Sequence, residues 1–169
     1  MEEKKEEKVR ISVRNLVEFI LREGDLDSRQ GGTTDKEAML LGGRIHRKIQ
    51  RQMGGGYHAE VPLQIVVPCE KLDIIVEGRA DGIIEEDGRT AVDEIKGILQ
   101  DLDLIKEPKK VHLAQAKCYA YIYASIKELS EIGVQMTYCQ METEEVKRFY
   151  QTFSCEELKK WFFDLVHRY

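Results

Sequence analysis

Apolar residues in this chain recur with two different periods, and the changes of period outline the predicted elements. After Ser12 they fall three and four positions apart, which predicts a helix that Ser12 caps. The same period predicts a second helix that ends near Met53, before three glycines. It also predicts a long helix from Pro108 to about Glu131 and a last helix over Cys155–Tyr169.

Between these helical segments the period changes to two, which is typical of half-buried strands. Three strands are predicted over Tyr57–Val67, Leu72–Glu85 and Arg89–Leu99, and the odd-numbered residues of the first are expected to share one face. Two more strands are predicted over Gly133–Met141 and Glu145–Phe153. This order predicts an α+β fold in which a central mixed sheet of about five strands is flanked by helices.

The length of 169 residues suits one domain. Residues 1–11 are largely charged, which predicts a flexible N-terminus, and residues 12–169 are predicted to form the domain. The helical pattern is still running at Tyr169, which favours a domain excised from a longer protein. Because no apolar run is long enough for a membrane helix or a signal peptide, we expect a cytoplasmic protein with no membrane partner.

The net charge of −5 argues mildly against a nucleic-acid partner, but its distribution is uneven. Residues 1–53 hold 12 basic and 10 acidic side chains, whereas residues 60–107 hold 5 and 13. The second helix carries Arg44, Arg47, Lys48 and Arg51 with no acid among them. These residues form either a solvated helix face or a set of phosphate contacts.

The hairpin of the second and third strands carries an acidic cluster with a lysine. Alternation places Arg79, Asp81 and Ile83 on one face of the second strand, and Glu94 and Lys96 on one face of the third. Two facing carboxylates repel, and a divalent cation offsets their charge. Such a site supports phosphodiester hydrolysis, with Lys96 stabilising the developing charge. The alternative is a solvated strand face with an ion pair.

Two helices carry further candidate residues. Gly42 precedes His46 by one helical turn, and glycines within a helix suggest that something packs closely there. His46 is a candidate metal ligand, or else an ordinary surface or core histidine. On the long helix, Gln115 and Tyr119 share one face and either support a phosphate site or only pack the helix.

Five short motifs thus follow one another along the predicted elements: Gly42 with His46, Glu60, Asp81 within GRADG, Glu94 with Lys96, and Gln115 with Tyr119. Over roughly Ser12–Met141 they resemble the PD-(D/E)XK nuclease superfamily, and within it the RecB-like exonuclease branch. The segments SVRNLVEFIL and GGRIHRKIQ also resemble the N-terminal nuclease-like domain of bacterial DNA helicases of the DinG/XPD type.

The resemblance implies a restriction-endonuclease-like core and a deoxyribonuclease of DNA repair, an exonuclease that uses Mg²⁺ or Mn²⁺. It implies that His46, Asp81, Glu94 and the carbonyl of Ile95 bind the metal and that Lys96 is the catalytic lysine. The implied partners are DNA and a helicase or ATPase domain in the same polypeptide or complex. The residues implied to bind DNA or to support the site are Arg14, Arg44, Arg47, Glu60, Gln115 and Tyr119.

The cysteines depart from one pattern of the superfamily. Some relatives hold an iron–sulfur cluster on one cysteine before the histidine and three near the C-terminus. Cys69, Cys118, Cys139 and Cys155 do not match that spacing, so no cluster is expected. Two alternatives to a nuclease stay open: a DNA-binding domain of the same fold with weak or no catalysis, and an unrelated α+β domain in which the motif arose by chance.

Overall fold

The computed structural model describes residues 7–21 and 35–169, with side chains described from Gly42 onward in the second range. Within these residues the predicted α+β fold is confirmed, because a mixed sheet is flanked by helices. A short 3-10 turn, Leu102–Leu104, precedes the third helix. The strands and α-helices are β1 (Glu7–Ser12), α1 (Val13–Ile20), α2 (Asp35–Gln52), β2 (Tyr57–Pro68), β3 (Leu72–Glu86), β4 (Arg89–Ile98), α3 (Lys110–Lys127), β5 (Glu131–Gln140), β6 (Val146–Ser154) and α4 (Cys155–His167).

The helix ends follow local capping chemistry. The hydroxyl of Ser12 accepts a hydrogen bond from the backbone N–H of Asn15 and caps α1, as predicted. The long helix α3 is shorter than predicted at both ends, since it begins at Lys110 and ends at Lys127. Glu128 adopts a left-handed conformation with φ 55°, which ends the helix and leaves Glu131 free to begin β5.

A sixth strand, β1, corrects the prediction of a flexible N-terminus for residues 7–11; residues 1–6 lie outside the described residues. β1 runs parallel to β3, from Glu7 beside Leu72 to Ser12 beside Glu77. Ile11 is buried in the core, and Arg10 donates a hydrogen bond of 2.9 Å to Glu77. The charged sequence does not predict this strand, because the strand that it pairs with lies more than 60 residues away along the chain.

The strand β3 pairs with three other strands of the sheet. β2 pairs with it antiparallel along one edge, so β1 and β4 share the other edge, at opposite ends. On that edge the β1 ladder ends at Glu77 and the β4 ladder begins at Gly82. We call the opening between Gly78–Asp81 of β3 and Glu94–Lys96 of β4 the fork. Beyond β4 the sheet continues with β5, parallel, and β6, antiparallel.

The two faces of the sheet are covered by different helices. The main core lies between the sheet and α1, α3 and α4, with Leu16, Ile122 and Phe162 among its buried side chains. On the other face, α2 packs Ile45 and Ile49 against residues of β4 and β5. The fork therefore lies between α2 on one face and α3 on the other, and this is how two distant helices reach one point of the sheet.

The side-chain alternation of β2 and β3 shifts by one residue near the fork. Gly78 and Glu85 are seven positions apart, so regular alternation would place them on opposite faces. Both nevertheless meet α3: Gly78 lies against Tyr119, and the hydroxyl of Tyr123 donates a hydrogen bond to Glu85. The shift coincides with Glu60, which adopts a left-handed conformation with φ 56° inside β2.

This shift corrects two sequence predictions. Arg79 and Ile83 do not share a face, because Arg79 is exposed and Ile83 is buried in the main core. Tyr57 does not share a face with Val61, since Tyr57 lies against Asp93 on the α2 face whereas Val61 packs against the main core. Regular alternation holds along β4, where Val92 and Ile98 lie in the main core and Ile95 packs against α2 on the other face.

Candidate active site

The carboxylate of Asp81 fills the fork. One of its oxygens accepts a hydrogen bond of 2.8 Å from the backbone N–H of Ile95, across the point where the strands part. The other oxygen lies 3.5 Å from Nδ1 of His46, which α2 brings over the sheet. Burial lowers the pKa of His46, but the hydrogen bond and the charge of Asp81 outweigh it, so the pKa is raised overall.

Glu94 lies beside Asp81 and is almost completely buried, with 5% of its surface exposed. Its Oε1 lies 3.4 Å from Nζ of Lys96, whereas its Oε2 is buried without a hydrogen-bond partner in the described structure. Burial and the negative charge of Asp81 raise the pKa of Glu94 to about 8, against the opposing effect of Lys96. An unpartnered buried carboxylate oxygen is costly unless a proton or a cation satisfies it.

The side chain of Lys96 is held from α3. Its Nζ donates a hydrogen bond of 2.9 Å to Oε1 of Gln115, which places the ammonium group beside Glu94. Tyr119, predicted to act with Gln115, contacts β3, whereas Gln115 contacts Lys96 of β4. Its hydroxyl would lie 2.5 Å from a Cβ at Gly78 and meets the backbone of Arg79, so the glycine makes room for the ring and Tyr119 supports β3.

The acidic residue of β2, Glu60, is held by a side chain that the sequence did not single out. Nε2 of Gln50 donates hydrogen bonds to Oε1 of Glu60, at 2.9 Å, and to the carbonyl of Asp81, at 2.8 Å. Arg79 lies farther from Glu60, at 4.0 Å. The signal that could have identified Gln50 is its place on α2, four residues after His46 and therefore on the same side of the helix.

The basic residues predicted to contact phosphate lie on exposed helix surfaces. Arg14 forms an ion pair of 3.1 Å with Glu18 on α1. Arg44 and Arg47 are exposed on α2. The expected close packing at Gly42 is not observed, since within the described part of the chain no atom lies within 4 Å of a Cβ built there. Contact with phosphate remains a prediction for these arginines.

The residues at the fork fit a small divalent cation. Two carboxylates and one imidazole are the hard oxygen and nitrogen ligands that Mg²⁺ and Mn²⁺ accept, and the unpartnered oxygen of Glu94 is an atom that a cation would satisfy. Among the described residues, however, no three His, Cys, Asp or Glu side chains converge into a complete metal-binding group. One oxygen of Asp81 is turned to Ile95 instead, and the carbonyl of Ile95 stays a predicted ligand.

A second buried carboxylate, Asp93, lies on the other face of β4 and was not singled out in the sequence. It accepts hydrogen bonds from the hydroxyl of Tyr57 at 2.7 Å, from Oγ1 of Thr137 at 2.5 Å and from Nε2 of Gln135 at 3.3 Å. The ring of Tyr57 occupies the space that a Cβ at Gly82 would need. This network ties β2 to β4 and β5 at the closed end of the fork.

Comparison with known proteins shows the fold alone. No protein-family model matches the sequence, and no curated protein matches it. The fold is similar to that of SSO0001, known from a crystal structure, with a TM-score of 0.62 and 18% sequence identity; the match covers 99% of this chain and 77% of that one. Among the helices of the described residues, none has the length and apolar character to cross a membrane.

Proposed function

We propose that this protein is a metal-dependent deoxyribonuclease that hydrolyses phosphodiester bonds of DNA as an exonuclease. The observation that carries the proposal is the carboxylate of Glu94, which is buried with one oxygen unpartnered beside Lys96 and the negative charge of Asp81, while Asp81 in turn lies against His46. A structural carboxylate in such a place would acquire a hydrogen-bond donor for each oxygen. A ligand for Mg²⁺ or Mn²⁺ instead keeps an oxygen free.

Each residue at the fork then has a distinct role. Bound Mg²⁺ or Mn²⁺ supplies Lewis acidity and lowers the pKa of a water molecule. Asp81, Glu94 and His46 would hold the cation, together with the carbonyl of Ile95. Because burial raises the pKa of Glu94 to about 8, this carboxyl would have to lose its proton in order to serve as a ligand. Lys96 places its positive charge beside the reacting phosphate.

The partners in this proposal follow from charge and from the sequence resemblance. DNA phosphates would meet the exposed guanidinium groups of Arg44 and Arg47 on α2, and that of Arg14 on α1. A helicase or ATPase domain, in the same polypeptide or in a complex, would supply single-stranded ends for an exonuclease in DNA repair. The cytoplasm is the proposed location.

The test is cleavage of end-labelled single- and double-stranded DNA with Mn²⁺, with Mg²⁺ and with a chelator. We expect cleavage that requires a divalent cation and is lost in Lys96→Met, because the methionine cannot stabilise phosphate charge. Lys106→Met is the matched control, since Lys106 is an exposed lysine four residues before the start of α3. Cleavage that persists in Lys96→Met, or that the chelator does not affect, would contradict the mechanism.

One observation favours a second candidate, a DNA-binding domain of the same fold with weak or no catalysis. One oxygen of Asp81 is already bonded to the backbone N–H of Ile95, which leaves fewer free ligand atoms. This candidate predicts a DNA affinity that is independent of Mn²⁺ in fluorescence anisotropy, with no cleavage of the bound strand. Cation-dependent cleavage in the same samples would eliminate it.

A further inference from the structure

Gln50 bridges two strands from a helix. It is half-buried on α2, one turn after His46, and its amide group spans from β2 to β3. The two hydrogen bonds from Nε2, to the carboxylate of Glu60 and to the backbone carbonyl of Asp81, are 2.9 and 2.8 Å long. One side chain thus joins the helix that carries His46 to the residue that carries the central carboxylate.

The bridge lies at the point where the pairing of β2 with β3 is interrupted. Ala59 pairs with Gly82 and Val61 with Ala80, but the intervening residues, Glu60 and Asp81, form no ladder pair in the register of these strands. Glu60 has a positive φ of 56°, which a glutamate rarely adopts without support from its surroundings. A donor that reaches both residues at once is such support.

We propose that Gln50 is a positioning residue for the metal and nuclease site. Its amide holds the interrupted pairing of β2 and β3 open, which turns the carboxylate of Asp81 sideways into the fork, towards His46 and the N–H of Ile95. The effect on cation binding and cleavage rests on the proposed function, whereas the effect on Asp81 does not. Because Gln50 lies on the same side of α2 as His46, its hydrogen bond to Asp81 also fixes the distance between His46 and β3.

The geometry makes a purely space-filling role for Gln50 distinguishable from a hydrogen-bonding role. Gln50→Met keeps the length and nearly the volume of the side chain but removes both donors. The matched control is Gln52→Met, because Gln52 is an exposed glutamine at the end of the same helix. If Gln50 only filled space, the two variants would behave alike.

The direct readout is hydrogen exchange of the backbone amide of Ile95, measured by NMR on the full chain without metal or DNA. This amide donates to the carboxylate of Asp81, so its protection reports where that carboxylate lies. We expect exchange to be about five- to tenfold faster in Gln50→Met and unchanged in Gln52→Met, with the amide of Val92 unchanged in both. In the cleavage assay, kcat should fall about as much while KM for DNA changes by less than about twofold.

Two results would overturn the inference: an unchanged exchange rate at Ile95 in Gln50→Met, or equal acceleration at Ile95 and Val92, which would mean a general loosening of the fold. The proposed function fails separately. If the wild-type protein neither binds Mn²⁺ in calorimetry nor cleaves DNA, the nuclease proposal is wrong, yet faster exchange at Ile95 alone would still establish that Gln50 positions Asp81.

Discussion

Asp93 and Glu94 are consecutive buried carboxyls of β4, and they meet opposite surroundings. Asp93 points to the α2 face, is completely buried, and accepts hydrogen bonds from three side chains. Glu94 points to the fork, and one of its oxygens has no hydrogen-bond donor in the described structure. Burial raises the pKa of both groups; at Asp93 the hydrogen bonds of Thr137 and Tyr57 oppose this shift, and at Glu94 the charge and hydrogen bond of Lys96 oppose it.

The difference shows that burial alone does not distinguish a structural carboxyl from a functional one. Folding has provided donors for Asp93, so this residue contributes to the stability of the sheet. Folding has left Glu94 with an oxygen unpartnered at a cost to stability, and such a cost persists where a ligand or a reaction offsets it. Under the proposed function, the comparison gives Asp93 a role in stability and Glu94 a role in chemistry.

The largest expected effect is a difference in DNA cleavage activity between variants of the two carboxyls. Glu94→Gln keeps the shape of the side chain and removes its charge, so we expect kcat for DNA cleavage to fall about 10²–10³-fold. Asp93→Asn keeps one of the two acceptor oxygens and should retain activity within about tenfold. The measurement is single-turnover cleavage at saturating Mn²⁺. An equal loss in both variants, with both folded by circular dichroism, would refute the division of roles.

The second prediction is that the replacement of Asp93, rather than that of Glu94, has the larger effect on the free energy of unfolding. Asp93→Ala leaves three side-chain donors without their acceptor and should lower the free energy of unfolding by about 2–4 kcal/mol. Glu94→Ala loses packing but also removes the unpartnered oxygen, so we expect a change of less than about 1 kcal/mol. Urea unfolding with a chelator present measures both. A larger loss in Glu94→Ala than in Asp93→Ala would contradict the comparison.

The third prediction concerns pH. The pKa of Glu94 is raised from its usual 4.5 to about 8, so between these values the native state binds more protons than the unfolded state. The free energy of unfolding without metal therefore falls as the pH rises from about 5 to 8. Glu94→Gln removes this component, and we expect the wild-type protein to lose about 1–3 kcal/mol more than the variant over that range.

Urea unfolding at several pH values in the presence of a chelator measures this difference. The raised pKa values of His46 and Asp93 act in the same direction, but both residues are present in both proteins, so most of their contribution cancels in the comparison. Equal pH dependence of the two proteins would mean that Glu94 is ionised at neutral pH in the native state. The pKa of Glu94 would then not be raised above neutral pH by its buried surroundings.

The sequence predicted the features that depend on local order. Asp87 and Gly88 both have positive φ values, of 54° and 72°, in the tight turn that joins β3 and β4. This turn fixes the register of the hairpin, and the pairing of its strands brings Asp81 near Glu94, as was expected from the hairpin in the sequence. Lys96 follows on the same face of β4 because that strand is regular.

The features that the sequence did not predict depend on partners far away along the chain or on unusual backbone. β1 has no signal of its own, because its apolar residues become buried only against β3. The shift of alternation at Glu60 was missed because glutamate does not indicate a positive φ as glycine does. The contact of Gln50 with Asp81 needs a helix and two strands to be in place at once.

The smallest effect tests how the donors of Asp93 share their role. Tyr57→Phe removes one of the three hydrogen bonds and keeps the ring that packs over Gly82, so we expect a loss of about 0.5–1.5 kcal/mol in urea unfolding. Tyr150→Phe, on the partly exposed ring of β6, is the matched control and should lose less. Cleavage should stay within about twofold of wild type, because the hydroxyl of Tyr57 serves Asp93 on the α2 face. A loss of activity in Tyr57→Phe without a loss of stability would show that the Asp93 network acts on the fork through β4.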